Sequence, residues 1–156
     1  MYTKRVMQVY LSGPINGLSK EEARDWREKV VPKFEEGIIT LSPMRGEDGS
    51  LPSGKKLTAF YDGILTNPDA IFARDKFDVI NSDALLVNLL QCEDRVSIGT
   101  MFEMAWANIW SGKKILIVTV MDEKNVHRHP FVEKASDWIV PDLDTAVDVL
   151  NTVLLP

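Results

Sequence analysis

One carboxylate is distinguished by its surroundings. Between Arg95 and Lys113 the only charged side chain is Glu103, set among Met101, Phe102, Met104, Ala105, Trp106 and Ala107, with Ile109 and Trp110 beyond. A helix that is apolar on every side is a buried helix, and a carboxylate inside one is costly unless it is paired or faces a polar cavity. Held ionised there, it is suited to nucleophilic attack. A local alternative stands beside this. Thr100-x-x-Glu103 matches a capping box, in which the glutamate folds back onto the backbone N–H of its own N-cap. The two are compatible, because the positive end of a helix keeps a first-turn glutamate ionised.

A second carboxylate is available from Asp75 or Asp83 in the stretch ARDKFDVINSD. Asp83 immediately precedes an apolar strand, so it falls at the amino edge of a parallel sheet and is expected to cap the preceding turn. Asp75 lies about two helical turns earlier, on a helix running back from the opposite edge, and is the one placed to reach a ligand. Taken alone, it would read as a solvated surface charge. Two histidines, His127 and His129, suggest a metal pair, but the sole cysteine, Cys92, is distant and no third ligand is suitably spaced. No metal and no cofactor is expected.

The elements that must position these groups follow from the apolar patterning. Residues 6–11 (VMQVYL) form a strand ending at the turn cluster Ser12-Gly13-Pro14. Residues 20–34 form a helix capped by Ser19, with Ala23, Trp26, Val30, Val31 and Phe34 on one stripe. Residues 38–41 are a short strand. Residues 42–56 carry three Gly and two Pro with no period, and a loop of that length is more often functional than idle. A helix is expected over 68–81, a buried strand over 84–90, a helix over 99–111 closed by Gly112 and Lys113, and a buried strand over 114–120. A short edge strand at 139–140 and a helix over 143–154 complete the chain. Strands alternate with helices, so the fold class is α/β: a flavodoxin-like or Rossmann-like parallel sheet of about five strands flanked by helices, with residues 1–156 as a single domain. Ligands of such sheets sit at the carboxyl ends of the strands.

The bulk composition narrows the partners. The 156 residues are 45% hydrophobic and 26% charged, enough to bury a core without disulfides. A net charge of −5 and the lack of a Lys/Arg cluster argue against polymeric nucleic acid, although a mononucleotide needs only one or two donors. No apolar run approaches a membrane span, no signal segment opens the chain, and one cysteine fits a reducing compartment. A cytoplasmic location is expected.

Four segments, in order, resemble the nucleoside 2-deoxyribosyltransferase family and the related 5′-monophosphate N-glycoside hydrolases. Tyr10-Leu-Ser-Gly-Pro-Ile15 is similar to the first-strand motif, Asp75 with Asp83 to the central motif, Ser97-Ile-Gly-Thr-Met-Phe-Glu103 to the nucleophile motif, and His129-Pro-Phe131 ahead of Ser136-Asp137 to a segment that reaches a neighbouring subunit's site. The resemblance implies a double displacement: Glu103 attacks the anomeric carbon, the base departs, and a second base or water releases the sugar. It further implies that Asp75 moves the proton of the base, that Tyr10 orients Glu103, that Gly13 lets the backbone approach the sugar, and that residues 42–56 cover the base. Without the resemblance, Tyr10 would read as a core aromatic. Asn88, Ser97, Gly99 and His129 fall where the family binds substrate. The partners implied are nucleosides or nucleotides, free bases, and further copies of the chain.

Ser97 departs from the transferase pattern, in which an aspartate accepts the sugar's 5′-hydroxyl; a serine resembles the monophosphate hydrolases. Asp94 could substitute in the loop, and Arg45 or His129 could face a phosphate. No basic cluster flanks Ser97, so the expectation is transfer of 2-deoxyribose between bases. The alternative is hydrolysis of a (deoxy)nucleoside 5′-monophosphate. A non-catalytic nucleotide sensor is a third reading, disfavoured by an isolated carboxylate that a neutral sugar does not need.

Overall fold

The computed structural model describes residues 5–46, 49, 51–92, 94–109 and 114–156. Five strands, β1 (Met7–Ser12), β2 (Ile38–Leu41), β3 (Ala84–Asn88), β4 (Leu116–Val120) and β5 (Trp138–Val140), pair in the order β2-β1-β3-β4-β5. Every pairing is parallel, with Tyr10 between Leu41 and Leu85. This is the doubly wound order in which the chain reverses direction across the sheet between β1 and β3. Five α-helices connect and follow the strands: α1 (Lys20–Val30), α2 (Pro68–Asn81), α3 (Ile98–Ile109), α4 (Pro130–Ala135) and α5 (Leu143–Leu154). The α/β expectation and the parallel sheet are as the sequence predicts.

Local chemistry sets the boundaries. Ser19 closes a reciprocal capping box with Glu22 at the start of α1. The helix expected to reach residue 34 stops at Val30, and Val31–Lys33 tighten into a 3-10 turn, because Pro32 has no N–H to continue the ladder. Asn67, with Pro68 at the first helical position, caps α2, and Asp142 caps α5. Strand β3 stops at Asn88, whose side chain accepts the Leu90 N–H at 3.1 Å and turns the chain. Strand β1 runs one residue further than expected and so takes in Ser12. The expected closure of α3 at residues 110–113 lies outside the described residues. Helix α4, which has no counterpart among the expected elements, begins at His129-Pro130.

Two apolar layers flank the sheet. Val9, Leu11, Leu86 and Val118 meet Trp26 and Val30 of α1 and Ala146, Val147 and Leu150 of α5 on one face. Tyr10, Leu85, Val87 and Ile117 meet Val79 of α2, Met104 and Ala107 of α3 and Val132 of α4 on the other. All strands are parallel, so the segments following β1, β2, β3 and β4 converge on one edge. None of the described helices is long and apolar enough to cross a membrane.

Candidate active site

Glu103 lies in the second turn of α3 and only 7% of it is exposed. Its carboxylate reaches across to the end of β1, accepting a hydrogen bond from the Tyr10 hydroxyl at 2.9 Å and one from the Ser12 hydroxyl. Residues i and i+2 of a strand share a face, which is how β1 presents both donors to one side chain. The capping-box expectation is overturned by this geometry. α3 opens at Ser97, whose carbonyl accepts the Met101 N–H, and Ser97 Oγ and Thr100 Oγ1 share a 2.8 Å hydrogen bond. Glu103 therefore points at β1 and not at its own helix start.

Burial, and after it the negative charge of Asp75, raise the Glu103 pKa to about 7 against the donors Ser12 and Tyr10 and the charge of Arg27, which act the other way. Asp75, also buried, is raised to about 6, first by burial, with Arg74 3.4 Å away opposing the rise. Two buried carboxyls are thus raised toward neutrality, the range in which one can serve as acid while the other is ionised. Tyr10, fully buried, is held well above its usual pKa by burial and then by Glu103, so it stays a donor throughout. It is both the core aromatic and the partner of Glu103.

The framework includes residues that pattern reading misses. Arg27, 2% exposed, donates from Nε to the Leu11 carbonyl and from Nη2 to the Gly13 carbonyl, both at 3.0 Å, and from Nη1 to Ala23. Its guanidinium lies 4.5 Å from the Trp26 ring, and burial lowers its pKa to about 10. A cation is thus fixed behind the strand end that carries Ser12. The stripe spacing of 23, 26, 27 and 30 could have found it. Gly13 is needed where it stands: a Cβ would lie 2.8 Å from the Asn88 carbonyl and 3.2 Å from Trp26, so the clearance found is toward β3 and α1.

The remaining sequence candidates divide clearly. Ser97 is half-buried at the start of α3, with Gly99 exposed beside it. Asn88 is buried in the β3 turn. His129 is exposed and caps α4, its Nδ1 accepting the Phe131 N–H at 3.1 Å. Asp94 is exposed. Arg45 is engaged by Asp78, at 2.5 and 2.8 Å, a buried partner that sequence reading missed. With Arg74, which donates to the Pro43 and Arg45 carbonyls, this pair fastens the start of the long loop to α2. Leu57, hydrogen-bonded to Gly17 and Leu18, fastens its other end. Asp83 is at the amino edge as expected, but its role differs: it accepts from the Gln8 N–H at 2.8 Å and from Arg5 at 2.5 Å, tying down β1. Among the described residues no group of three or more His, Cys, Asp or Glu is arranged to hold a metal. A cleft of about 400 Å³ opens between α1 and the β2 end, lined by Leu11, Arg24, Arg27, Thr40 and Ser42 among others. Glu103, Tyr10 and Asp75 are not among its lining residues.

A buried carboxyl with two hydroxyl donors and a second raised carboxyl thus stand at the carboxyl edge of a β2-β1-β3-β4-β5 sheet. No family model and no curated protein sequence matches the chain. Solved structures do. A 2-desoxiribosyltransferase from Leishmania mexicana superposes with a TM-score of 0.50 at 18% identity, over 82% of this chain and 70% of that one. A conserved protein from Enterococcus faecalis V583 superposes with a TM-score of 0.51 at 14% identity, over 95% and 87%. At these identities the likeness is one of fold.

Proposed function

We propose that residues 1–156 act as a nucleoside 2-deoxyribosyltransferase, moving 2-deoxyribose between nucleobases through a glycosyl ester on Glu103. The observation that carries this is the carboxylate of Glu103 held between Tyr10 and Ser12, with the protonatable Asp75 near enough for its charge to act on it. The likeness in fold to a 2-desoxiribosyltransferase supports it.

In the first half-reaction a Glu103 oxygen bonds to the anomeric carbon as the bond to the base breaks. The electron pair goes to the base nitrogen, which takes a proton from Asp75. Tyr10 and Ser12 oppose the rise in the Glu103 pKa. With Glu103 raised to about 7 and Asp75 to about 6, the reacting form, Glu103 ionised and Asp75 protonated, is the minor one of the two singly protonated forms. In the second half-reaction an incoming base gives its proton to Asp75 and attacks the same carbon, freeing Glu103. Two inversions retain configuration. Around this chemistry, Gly13, Asn88, Ser97, Gly99 and His129 are the substrate-binding positions. Incubation with a deoxynucleoside and a second free base tests the reading: a new deoxynucleoside is expected, and release of free sugar alone would overturn transfer.

Hydrolysis of a (deoxy)nucleoside 5′-monophosphate is favoured by one observation. Beside the neutral Ser97, Arg95 reaches across to the Asn16 carbonyl at 2.9 Å, which puts a cation near the α3 N-terminus, an end that attracts phosphate. A kcat/KM ratio favouring the monophosphate about tenfold, ~1.4 kcal/mol, would replace transfer by this reading.

The same proposal includes a homo-oligomer with sites shared between copies. Phe72, Phe102 and Trp106 stack edge-to-face at 5.1–6.5 Å, yet Phe72 and Phe102 are each about half exposed and Ile109 is 74% exposed. An apolar surface of this kind next to Glu103 suits a second copy of the chain. The lone cysteine, buried as a thiol, suits the cytoplasm.

A further inference from the structure

His127 is buried, 2% exposed, in the segment following β4. Both of its ring nitrogens are engaged. The Ser97 backbone N–H donates to Nε2 at 2.9 Å, and Nδ1 lies 2.9 Å from Asn125 Oδ1. Since Nε2 accepts, Nδ1 must carry the proton, and the ring is the neutral Nδ1–H tautomer. Asn125 completes the connection by donating from Nδ2 to the Leu89 carbonyl at 2.8 Å and accepting the His127 N–H at 3.0 Å. The segments after β3 and β4, with Ser97 just ahead of α3, are therefore one hydrogen-bonded unit with an imidazole at its centre.

We propose that neutral His127 is a positioning residue that holds the N-terminal turn of α3, and that its protonation releases Ser97 and the turn behind it. The consequence for turnover rests on the transferase reading; the release itself does not. An imidazolium carries a proton on both nitrogens and cannot accept from Ser97, so two N–H groups would face each other in a buried site. Ser97 lies six residues before Glu103, about 9 Å along the helix axis, so displacement of that turn alters how α3 presents the carboxylate to Tyr10 and Ser12.

Burial alone displaces the His127 pKa, and it does so downward. The charged side chains described on the segments it joins, Asp94 and Arg95 before α3 and Asp122, Glu123, Lys124 and Arg128 on its own segment, are exposed. The sign follows. Above the unfolded-state pKa of about 6.5 the neutral clamp is complete, and stability contributed by it falls as pH drops below that value. The clamp is thus complete in neutral solution and is lost on acidification.

The test is amide hydrogen exchange of Ser97 and Met101, the hydrogen-bonded amides of this turn, corrected for intrinsic rates and measured between about pH 5 and pH 8. Wild type is expected to lose about tenfold or more of its protection at these amides at the acid end, while β3 amides stay protected. His127→Gln, which retains an amide oxygen to accept from Ser97 and does not titrate, is expected to remain within about twofold across the range. Equal protection at both ends in wild type would overturn the proposal. So would the same pH dependence in His127→Gln, which would assign the effect to Glu103. Should that variant not fold, the Ser97 amide resonance of wild type must titrate with the midpoint of the His127 ring; different midpoints would also overturn it. None of these readings requires turnover, so a protein that transfers no sugar still decides the matter.

Discussion

Tyr10 and Glu103, 93 residues apart in the chain, meet through a 2.9 Å hydrogen bond in which the phenol donates and the carboxylate accepts. The bond joins β1 to α3 through the apolar layer between them. It also opposes the rise in the Glu103 pKa that burial causes. Tyr10→Phe leaves the ring and its packing in place and removes the donor. A hydrogen bond to a charged group contributes about 1.5–3 kcal/mol, so kcat is expected to fall about 10- to 100-fold. The acid limb of the kcat/KM profile should move to higher pH, because Glu103 becomes harder to ionise. An unmoved limb would show that the phenol does not act on the reacting carboxylate.

Glu103→Gln separates chemistry from folding. The folded-state pKa of Glu103 is raised to about 7 from 4.5, so the contribution of its protonated form is complete at low pH and is lost as pH rises through about 7. Above that pH the wild type carries a buried ionised carboxylate that the amide variant does not. The variant is expected to be inactive yet more stable than wild type, by up to about 3 kcal/mol at pH 8, and nearly equal to it below pH 4. Urea unfolding at the two pH values reads the difference. A variant less stable than wild type at pH 8 would show that the carboxylate is retained for structure.

Asp75→Asn acts on both limbs of the profile. The Asp75 carboxyl, raised to about 6, supplies the proton to the leaving base, so its loss should remove the alkaline limb and lower kcat for natural bases. Asp75 also raises the Glu103 pKa through its charge, so the acid limb should shift to lower pH. A leaving group that departs without protonation should be spared most of the loss in rate. Equal losses for both kinds of substrate would remove Asp75 from the proton path.

Arg27 supports the strand end from behind, through the carbonyls of Leu11 and Gly13. Arg27→Met fills much of the volume and leaves those acceptors unpaired. A loss of at least about 2 kcal/mol in unfolding free energy is expected, together with a drop in kcat larger than any change in KM, because Ser12 lies between the two carbonyls. A wild-type kcat in the folded variant would show that the β1 end holds its shape without the guanidinium.

The buried strands and the unusual place of Glu103 are legible for the same reason: each rests on a strong contrast. Residues 84–90 and 114–120 are apolar runs that suit strands buried on both faces, and a single charge in an apolar helix must have long-range partners. What those partners were was less legible. Ser12 fell one residue beyond the expected strand end and was read as turn, although its spacing from Tyr10 places it on the same face. Arg27 occupies a stripe position on α1, but a long cationic side chain usually carries its head to solvent, and only the carbonyls at the β1 end explain why this one does not. The capping box at Thr100 failed because a local pattern was outcompeted by two hydroxyls from a strand about 90 residues away. Asp83 stands at the expected edge, yet its partners are Gln8 in β1 and Arg5 just before it, which no local pattern contains. Helix α4, six residues long, is too short to carry a period.

The proposed transfer requires a covalent bond between Glu103 and the sugar. A deoxynucleoside bearing a 2′-fluorine slows release of the glycosyl group, so the intermediate should accumulate. After brief incubation and proteolysis, mass spectrometry is expected to find one fluorinated pentosyl group on the peptide that contains Glu103. The mass should disappear when a second base is added, and it should never form in Glu103→Gln. A substrate that turns over with no adduct, or with the group on another side chain, would contradict the assignment of Glu103 as nucleophile.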